Sequence, residues 1–558
     1  MIDINGYVIK ESKRDLSLNK YYEGVFTQGN GYMHVRGSYE ELLGGSVQDS
    51  SELRRPDNVT IEKKKPTVSK WGTFIPGVVG KHPFLQAEMI NLPYFFAMQI
   101  TGKDKESGHK ERLGDLGNVI ADYERTLDMK TGVLKRTFTW EVGDSAVRLT
   151  FSRWISMADK HLAIQRLDVS CLKGKISLNI SGDTDPKVTT NGFNHFKEVN
   201  ITEENNVKTF KVATNGGDIV TIRSFMPRSG EVTLDAGMST SIEKIVEVYT
   251  SRDIDGYKPL DNFDLDVDKL FKNHCEVWNK KWEAADVKVN DDKLQSALRF
   301  SIYHLIRSCN EDDPRVAICA KGHAGEGYFG RYFWDTEINM LPFFIKTNPK
   351  AARNLLMFRY ITLPGAKRNA AKYGYSGARY AWESSVTGDD ECANWQYADH
   401  EIHVTADIVY AMMNYVNATG DEEFLRDYGL EIMIETAKYW IERVDKRSDG
   451  SYDLLGVMGP DEYLPMTDNN AYTNRMVKYS LEMTLRYAEK YKEKAENLGF
   501  DKSLEAKVKD VYENLKLPYN KDTVLIKQCE DWDRYADLDF NVVWKDRNDF
   551  FARQISQE

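Results

Sequence analysis

The chain has 558 residues, of which 41% are hydrophobic and 12% aromatic, so it can form more than one packed core, which argues against large-scale disorder. A net charge of −11 without a long Lys/Arg block argues against nucleic acid or an anionic membrane as the main partner. The six cysteines are dispersed without a CxxC pair, which predicts reduced thiols in a cytoplasmic protein. We expect neither a secretory signal nor a membrane span, because the opening residues lack an apolar core and no later apolar run is long enough.

The N-terminal part shows the alternation of β-strands. Apolar and polar residues alternate on both sides of Gly143-Asp144 in the stretch 133-VLKRTFTWEVGDSAVRLTFSRW-154, which predicts a hairpin with one buried face. The segment 207–225 repeats this pattern around Asn215-Gly216-Gly217. Short strands with turn signals continue to about residue 255 and predict an antiparallel β-sandwich.

Helical periodicity follows. Asp291-Asp292 is predicted to cap a helix whose buried face carries Leu294, Leu298, Ile302 and Leu305. Thr419-Gly420-Asp421 is predicted to end a second helix and to cap a third, giving an αα-hairpin. The apolar stripes of this hairpin are Val404, Ile408, Ala411, Met412 and Tyr415, then Phe424, Tyr428, Ile432, Ala437, Trp440, Ile441 and Val444. Such hairpins build a bundle, a solenoid or a closed α/α barrel, and no fixed period favours the solenoid.

Three long loops rich in aromatic and acidic residues lie among the helices, at 322–337, 373–401 and 456–470. Long ordered loops are often functional. Two of them contain a tryptophan followed by an acid, Trp334-Asp335 and Trp382-Glu383. Each pair alone is more simply a partly buried tryptophan beside a surface acid. Together with 459-GPDE-462 they favour a carbohydrate site, because rings pack on sugar faces and carboxylates accept hydrogen bonds from hydroxyls.

Glu462 is the candidate acid of this site. Glycosidic bond cleavage needs a proton donor on the leaving oxygen and a nucleophile or activated water on the opposite face. Aromatic neighbours that raise the pKa of Glu462 would suit it to the donor role. Its neighbour Asp461 is predicted to be a structural acceptor for loop N–H groups instead of a second catalytic carboxylate.

Two other motifs are given structural interpretations. Gly325, Gly327 and Gly330 spell GxGxxG, but no βαβ unit surrounds them, so a dinucleotide site is not predicted. His400 and His403 are one residue too close for HExxH and have no evident third ligand. Hydrogen-bonding or core roles are therefore favoured for both histidines, and no metal site is predicted.

Around the Trp–acid pairs and Glu462 the sequence resembles glycoside hydrolase family 65, the inverting α-glucoside phosphorylases that include maltose, trehalose, kojibiose and nigerose phosphorylases. The resemblance extends from residue 26 to about residue 540. Its matching stretches are 26-FTQGNGYMHVRGSYEE-41, 332-YFWDTEINMLPFF-344, 353-RNLLMFRYITLPGAKRNA-370, 373-YGYSGARYAWES-384, 402-IHVTADI-408, 459-GPDEY-463 and 468-DNNAYTN-474.

The resemblance implies a multidomain β + α fold. Its parts are an N-terminal antiparallel β-sandwich (1–265), a helical linker (266–310) and an (α/α)6 barrel (311–558). It implies Glu462 as general acid and inorganic phosphate as the nucleophile that yields β-glucose 1-phosphate. Trp334, Asp335, Trp382 and Glu383 match residues that hold the non-reducing glucose. It also implies a homodimer, with no cofactor besides the phosphate co-substrate.

The chain departs from the family pattern in three places. Leu464 stands where histidine is frequent and Ala381 where proline is frequent, both near the region of acceptor choice, so the linkage and the acceptor stay open. Past residue 558 the family continues with a Lys-Gln-Ala-Asp motif, a phosphate-binding serine loop and a small β-domain. The dipeptide Lys527-Gln528 is not this motif, because the residues around it match an earlier segment of the family pattern. We therefore expect an incomplete barrel and a chain that is poorly active by itself.

Three hypotheses remain from the sequence. The first is a phosphorylase of α-glucosides, the second a hydrolase of the same fold, and the third a non-catalytic sugar-binding remnant. Product that forms only with phosphate would support the first, free glucose without phosphate the second, and sugar binding without product the third.

Overall fold

The computed structural model describes residues 2–43, 69–82, 87–182, 184–253, 256–393, 395–464, 466–520, 522 and 524–535. The chain folds as two compact units. The first comprises Met1–Asp313 with Ile318–Gly330, and the second comprises Pro314–Ala317 with Arg331–Glu558. Across the described residues, every helix is too short or too polar to cross a membrane.

The first unit is built on two antiparallel sheets. In spatial order, the strands of the larger sheet are Ile2–Asn5, Val8–Glu11, Val119–Asp128, Val133–Val142, Ser145–Ile155, Leu162–Lys173, Ser239–Thr250, Ile219–Phe225, Val207–Thr214 and Phe196–Glu204. Those of the smaller sheet are Gly230–Asp235, Lys175–Ser181, Gln99–Asp104 and Lys110–Arg112. Short strands also pair at Gln28–Gly29, His34–Val35 and Thr73–Phe74, and at Val79–Gly80 with Glu88–Met89.

One apolar core joins the two sheets, which confirms the predicted sandwich. The larger sheet contributes Phe138, Trp140 and Leu149 to this core. The smaller sheet contributes Ile176 and Leu178 to the same cluster. Because a strand of the larger sheet turns every second side chain toward this layer, the alternation in the sequence marks its buried face.

Both predicted hairpins are present. Strand Val133–Val142 pairs antiparallel with Ser145–Ile155, and the two-residue turn places Gly143 at φ 59°, in the left-handed region that glycine adopts without a steric cost. Strand Val207–Thr214 pairs in the same way with Ile219–Phe225. The last strand of the sheet along the chain ends at residue 250, close to the predicted limit.

The first unit also contains the helices Leu16–Val25, Val267–Ala285 and Asp292–Ser308. Asp291 caps the last of these, accepting a hydrogen bond from the Leu294 N–H at 2.7 Å, as predicted. The predicted buried face is wrong at Leu294, which is 52% exposed. Ser296 is buried in its place because its hydroxyl accepts a hydrogen bond from the Gly6 N–H at 3.1 Å.

The second unit is mainly helical. Its helices are Thr336–Met340, Leu341–Thr347, Pro349–Ile361, Leu363–Lys372, Trp395–His400, Val404–Thr419, Glu422–Phe424, Leu425–Gly429, Leu430–Arg443, Ala471–Lys490, Lys492–Asn497 and Lys502–Asn514, with the short turn Trp532–Arg534. Two small hairpins pair Asp445–Lys446 with Tyr452–Asp453 and Tyr519–Asn520 with Leu525–Ile526. The division into sandwich, linker and barrel at residues 265 and 310 stays a prediction.

The predicted αα-hairpin is confirmed. Helix Val404–Thr419 ends at Gly420, which has φ 73°, and Asp421 caps the next helix by accepting from the Phe424 N–H at 2.9 Å. Every residue of the first predicted stripe is buried. In the second stripe Tyr428 and Ile441 are only half-buried.

Candidate functional site

A short antiparallel bridge holds the two Trp–acid segments side by side. The Tyr332 N–H donates to the Ser384 carbonyl at 3.1 Å, and the Ser384 N–H donates to the Tyr332 carbonyl at 2.9 Å. Trp334 and Trp382 each lie two residues from this bridge, and their ring centroids are 6.4 Å apart. The backbone pairing therefore brings together two dipeptides that are far apart in the sequence.

Aromatic side chains form a wall around these tryptophans. His403 meets Trp334 edge to face at 4.8 Å and Trp382 at 5.6 Å, measured between ring centroids. Tyr472 lies 6.1 Å from Trp334. Trp382 is buried and Trp334 half-buried, so Trp334 keeps part of its surface open to a ligand. Such a surface can pack on the apolar face of a pyranose.

Glu383 is paired with a cation. The Arg331 guanidinium donates to its Oε2 at 2.5 Å and lies 3.6 Å from Glu391. Burial raises the pKa of Glu383, and the charge and hydrogen bond of Arg331 oppose that rise. Arg331 does not stand out in the sequence, because nothing local links it to Glu383, which is 52 positions away.

Asp335 begins a helical turn without capping it. Its backbone is helical and its side chain makes no cap hydrogen bond with the helix Thr336–Met340. Behind it, the buried Glu337 carboxylate accepts from Arg359 at 2.7 and 2.8 Å. Arg359 also donates to the Phe333 carbonyl at 3.2 Å, so this ion pair supports the backbone that presents Trp334.

The loop 456–470 is fastened at its base. Val457 and Thr467 exchange backbone hydrogen bonds of 2.8 and 2.7 Å. The Met458 N–H donates to the His400 carbonyl at 2.9 Å, which ties this loop to the segment before the helix Val404–Thr419. Glu462 lies in the part of the loop enclosed by these contacts.

Gly459 makes the closest approach of this loop to the next helix. An added Cβ at Gly459 would lie 2.5 Å from the side chain of Asn470. Asn470 caps the helix Ala471–Lys490 by accepting from the Thr473 N–H at 3.1 Å. The absence of a side chain at Gly459 therefore allows the loop and the capped helix end to pack together.

Asp461 has the structural role predicted for it. Its Oδ1 accepts from the Tyr463 N–H at 3.1 Å, and its Oδ2 accepts from the Gln528 side chain at 2.8 Å. Its carbonyl accepts from the Leu464 N–H at 3.2 Å. These contacts shape the turn in which Glu462 is the next residue.

Glu462 is accessible, yet its carboxyl group is partly withdrawn from water. This burial raises its pKa, and the negative charge of Asp335 raises it further. A carboxyl with a raised pKa keeps its proton to higher pH, as a general acid requires. The charge of Asp335, in the first Trp–acid pair, therefore acts on Glu462 in the loop 456–470.

The histidines of the HEIH segment make hydrogen bonds within the protein, as predicted. His400 Nδ1 lies 2.6 Å from the Gly456 carbonyl, and His403 Nδ1 lies 2.6 Å from Asp407 Oδ2. Tyr472 donates to the other oxygen of Asp407 at 3.0 Å. The sequence did not identify Asp407 and Tyr472 as supports of this wall, although the four-residue helical spacing from His403 to Asp407 is a usable signal.

Comparisons with known proteins found family models, relatives and a solved structure that this chain resembles. Residues 9–281 match the model of the glycosyl hydrolase family 65 N-terminal domain, and residues 299–556 match that of the family 65 central catalytic domain. The chain is 33% identical to kojibiose phosphorylase of Thermoanaerobacter brockii, over 95% of this chain and 73% of that relative. It is 28% identical to maltose phosphorylase of Bacillus subtilis, over 97% of this chain and 74% of that relative.

A solved structure of a putative kojibiose phosphorylase from the human microbiome shares the fold. It superposes with a TM-score of 0.83 at 24% identity, covering 97% of this chain and 74% of that one. At this identity the likeness supports the architecture of the chain, a β-sandwich followed by a helical unit of the α/α type.

Proposed function

Because the chain belongs to glycosyl hydrolase family 65, we propose that it is an inverting disaccharide phosphorylase with Glu462 as the general acid. In this reaction Glu462 protonates the leaving oxygen of an α-glucoside while inorganic phosphate attacks the anomeric carbon from the opposite face. The products are β-glucose 1-phosphate and the released acceptor. The observation that carries the proposal is the raised pKa of Glu462 beside Asp335 and the two bridged Trp–acid segments.

The glucose unit is proposed to lie against the aromatic wall. Trp334 and Trp382 would pack on the sugar ring, and the carboxylates of Asp335 and Glu383 would accept hydrogen bonds from its hydroxyls. The Arg331 guanidinium supports this role for Glu383 because it favours the ionised form, which only accepts. The acceptor is left open among the kojibiose, maltose, nigerose and trehalose types.

Phosphate is the proposed nucleophile because relatives at 28–33% identity are named as phosphorylases of kojibiose and maltose. The charge state of Glu401 also argues against one hydrolytic route. Burial first, and then the charges of Glu462 and Glu383, raise the pKa of Glu401 to about 10. A carboxyl that keeps its proton at neutral pH cannot act as the base that activates water.

We further propose that the protein is cytoplasmic and forms a homodimer.

Phosphorolysis by the purified chain tests the proposal. Kojibiose, maltose, nigerose and trehalose are each incubated with and without phosphate, and β-glucose 1-phosphate and free glucose are quantified. A small amount of glucose 1-phosphate that forms only with phosphate is expected, in keeping with the low activity predicted for this chain by itself. Free glucose without phosphate would replace the proposal by a hydrolase, and binding without product would replace it by a sugar-binding module.

Replacement of the acid tests its role. Glu462→Gln should lower kcat by about 10²–10⁴-fold, the usual contribution of a general acid, while sugar binding measured by calorimetry persists. Glu505→Gln changes an exposed glutamate in the helix Lys502–Asn514 and provides the matched control. Turnover by Glu462→Gln at the control rate would remove Glu462 from the mechanism.

A further inference from the structure

Glu401 is a buried carboxyl group at the junction of two site elements. It lies between the helices Trp395–His400 and Val404–Thr419, and its side chain is only 1% exposed. Its own N–H donates to the Tyr397 carbonyl at 3.0 Å. The preceding His400 is held to Gly456 by the 2.6 Å contact described above. The backbone at Glu401 is therefore fixed relative to the loop 456–470.

Neither carboxyl oxygen of Glu401 has a hydrogen-bond partner within the part of the chain that the structure describes. Glu337, which is equally buried in the same unit, has both oxygens bonded to Arg359. Buried polar groups are almost always hydrogen-bonded, so an unsatisfied carboxyl calls for a specific explanation. A ligand that supplies the missing hydrogen-bond partners is one such explanation.

The surroundings of Glu401 indicate where that ligand would bind. The two charged groups that act on it are the proposed acid Glu462 and the sugar-holding Glu383. Both raise its pKa in addition to burial, so at neutral pH it has one O–H donor and one carbonyl acceptor. Two residues further on, His403 packs against Trp334, and its Nε2 also lacks a partner among the described residues. Two unsatisfied polar groups thus lie two residues apart in the segment that leads into the wall residue His403.

We propose that Glu401 is a further sugar-binding residue of this site, and that both oxygens of its carboxyl group form hydrogen bonds with hydroxyls of the bound glucoside. The choice of ligand rests on the proposed function. A neutral carboxyl differs from Asp335 and Glu383 in what it recognises, because it donates as well as accepts. It also adds no negative charge to a site that must admit phosphate.

Sugar binding to inactive protein tests this inference separately from turnover. In the Glu462→Gln background, kojibiose, maltose, nigerose and trehalose are titrated by calorimetry into Glu401→Met and Glu401→Gln variants. Loss of two hydrogen bonds should weaken binding to Glu401→Met by roughly 10- to 100-fold. Glu401→Gln keeps a donor and an acceptor, so its loss should be several-fold smaller. Equal affinity of Glu401→Met and its parent would overturn the inference.

Thermal unfolding separates binding from a structural role. Replacing an unsatisfied carboxyl with a similarly sized apolar side chain should leave the melting temperature unchanged or raise it. Glu337→Met is the matched control and should lower it, because Arg359 is left buried without its partner. A fall for Glu401→Met as large as that of the control would indicate that Glu401 is a structural residue and would overturn the inference.

Infrared difference spectra provide a readout that needs no destabilised variant. Adding the sugar that binds should shift the carbonyl stretch of a protonated carboxyl, and Glu401→Gln should abolish that signal. A spectrum without this signal would count against the inference.

Failure of phosphorolysis by the unmodified chain, with sugar binding that still depends on Glu401, would overturn only the proposed function. Absence of binding by all four sugars would overturn both.

Discussion

The ion pair between Arg331 and Glu383 allows a quantitative test of the proposed contact between Glu383 and a bound sugar. Arg331→Met removes the guanidinium and keeps much of the apolar side chain. Glu383 then remains in a largely buried position without the cation that favours its ionised form. We expect the pKa of Glu383 to rise further, so that the carboxyl is increasingly protonated at neutral pH and loses capacity to accept from sugar hydroxyls.

The structure gives the size of the effect. The donor and acceptor atoms are 2.5 Å apart, and the two side chains are only 3% and 15% exposed. At about 4 Å between charge centres and an effective dielectric constant of about 20, the attraction is about 4 kcal/mol. Since about 1.4 kcal/mol is a factor of ten, loss of this attraction favours the protonated form of Glu383 by up to about 1000-fold over the parent, and sugar affinity at neutral pH should fall by about 10-fold or more. Because protonation of Glu383 causes this loss, a rise in pH that ionises the carboxyl again should restore the affinity for sugar.

Calorimetric titration of sugar across a pH series measures this effect in the Glu462→Gln background. Arg331→Lys keeps a positive charge and should lose less affinity. Arg368→Met is the matched control, because Arg368 pairs with Asp389 at the surface, where such pairs contribute about 0–1 kcal/mol. Affinity of Arg331→Met that equals the parent value, or that does not vary with pH, would refute the reasoning.

Three other substitutions test the supports of the site. Asp335→Asn removes a charge that raises the pKa of Glu462, so the alkaline limb of the kcat/KM profile should move to lower pH; an unmoved limb would contradict the coupling. Arg359→Met leaves Glu337 buried and unpaired, which should cost about 3–5 kcal/mol and lower the calorimetric melting temperature by about 6–20 °C. Gly459→Ala forces a Cβ against the asparagine that caps the next helix, so kcat should fall by about 100-fold while sugar binding persists; unchanged kcat would show that the loop can adjust.

Local patterns predicted much of the fold. The turn at Gly143-Asp144 and the cap at Asp421 were identified because their chemistry depends on neighbouring residues. The buried face of the helix Asp292–Ser308 was less predictable. Leu294 is exposed and Ser296 buried because a backbone N–H from residue 6 needs the serine hydroxyl, and that contact spans 290 positions.

The candidate site divides in the same way. Trp334, Trp382 and Glu462 were found from composition and family resemblance, and the structure places them on adjoining loops. Arg331 and Glu401 were not found, because an ion pair across 52 positions and the burial of one loop carboxyl depend on the path of the whole chain.

The pairing of Val457 with Thr467 makes the acid-bearing segment a closed loop with fixed ends. The entropy cost of closing such a loop is met when the protein folds, so binding of a substrate needs to order only the residues at the tip of the loop. Substitutions at the tip, including Leu464, are then expected to change which acceptor fits without altering the anchor that positions Glu462, the proposed proton donor. A loop of this construction allows selectivity to diverge among relatives while the chemistry is retained.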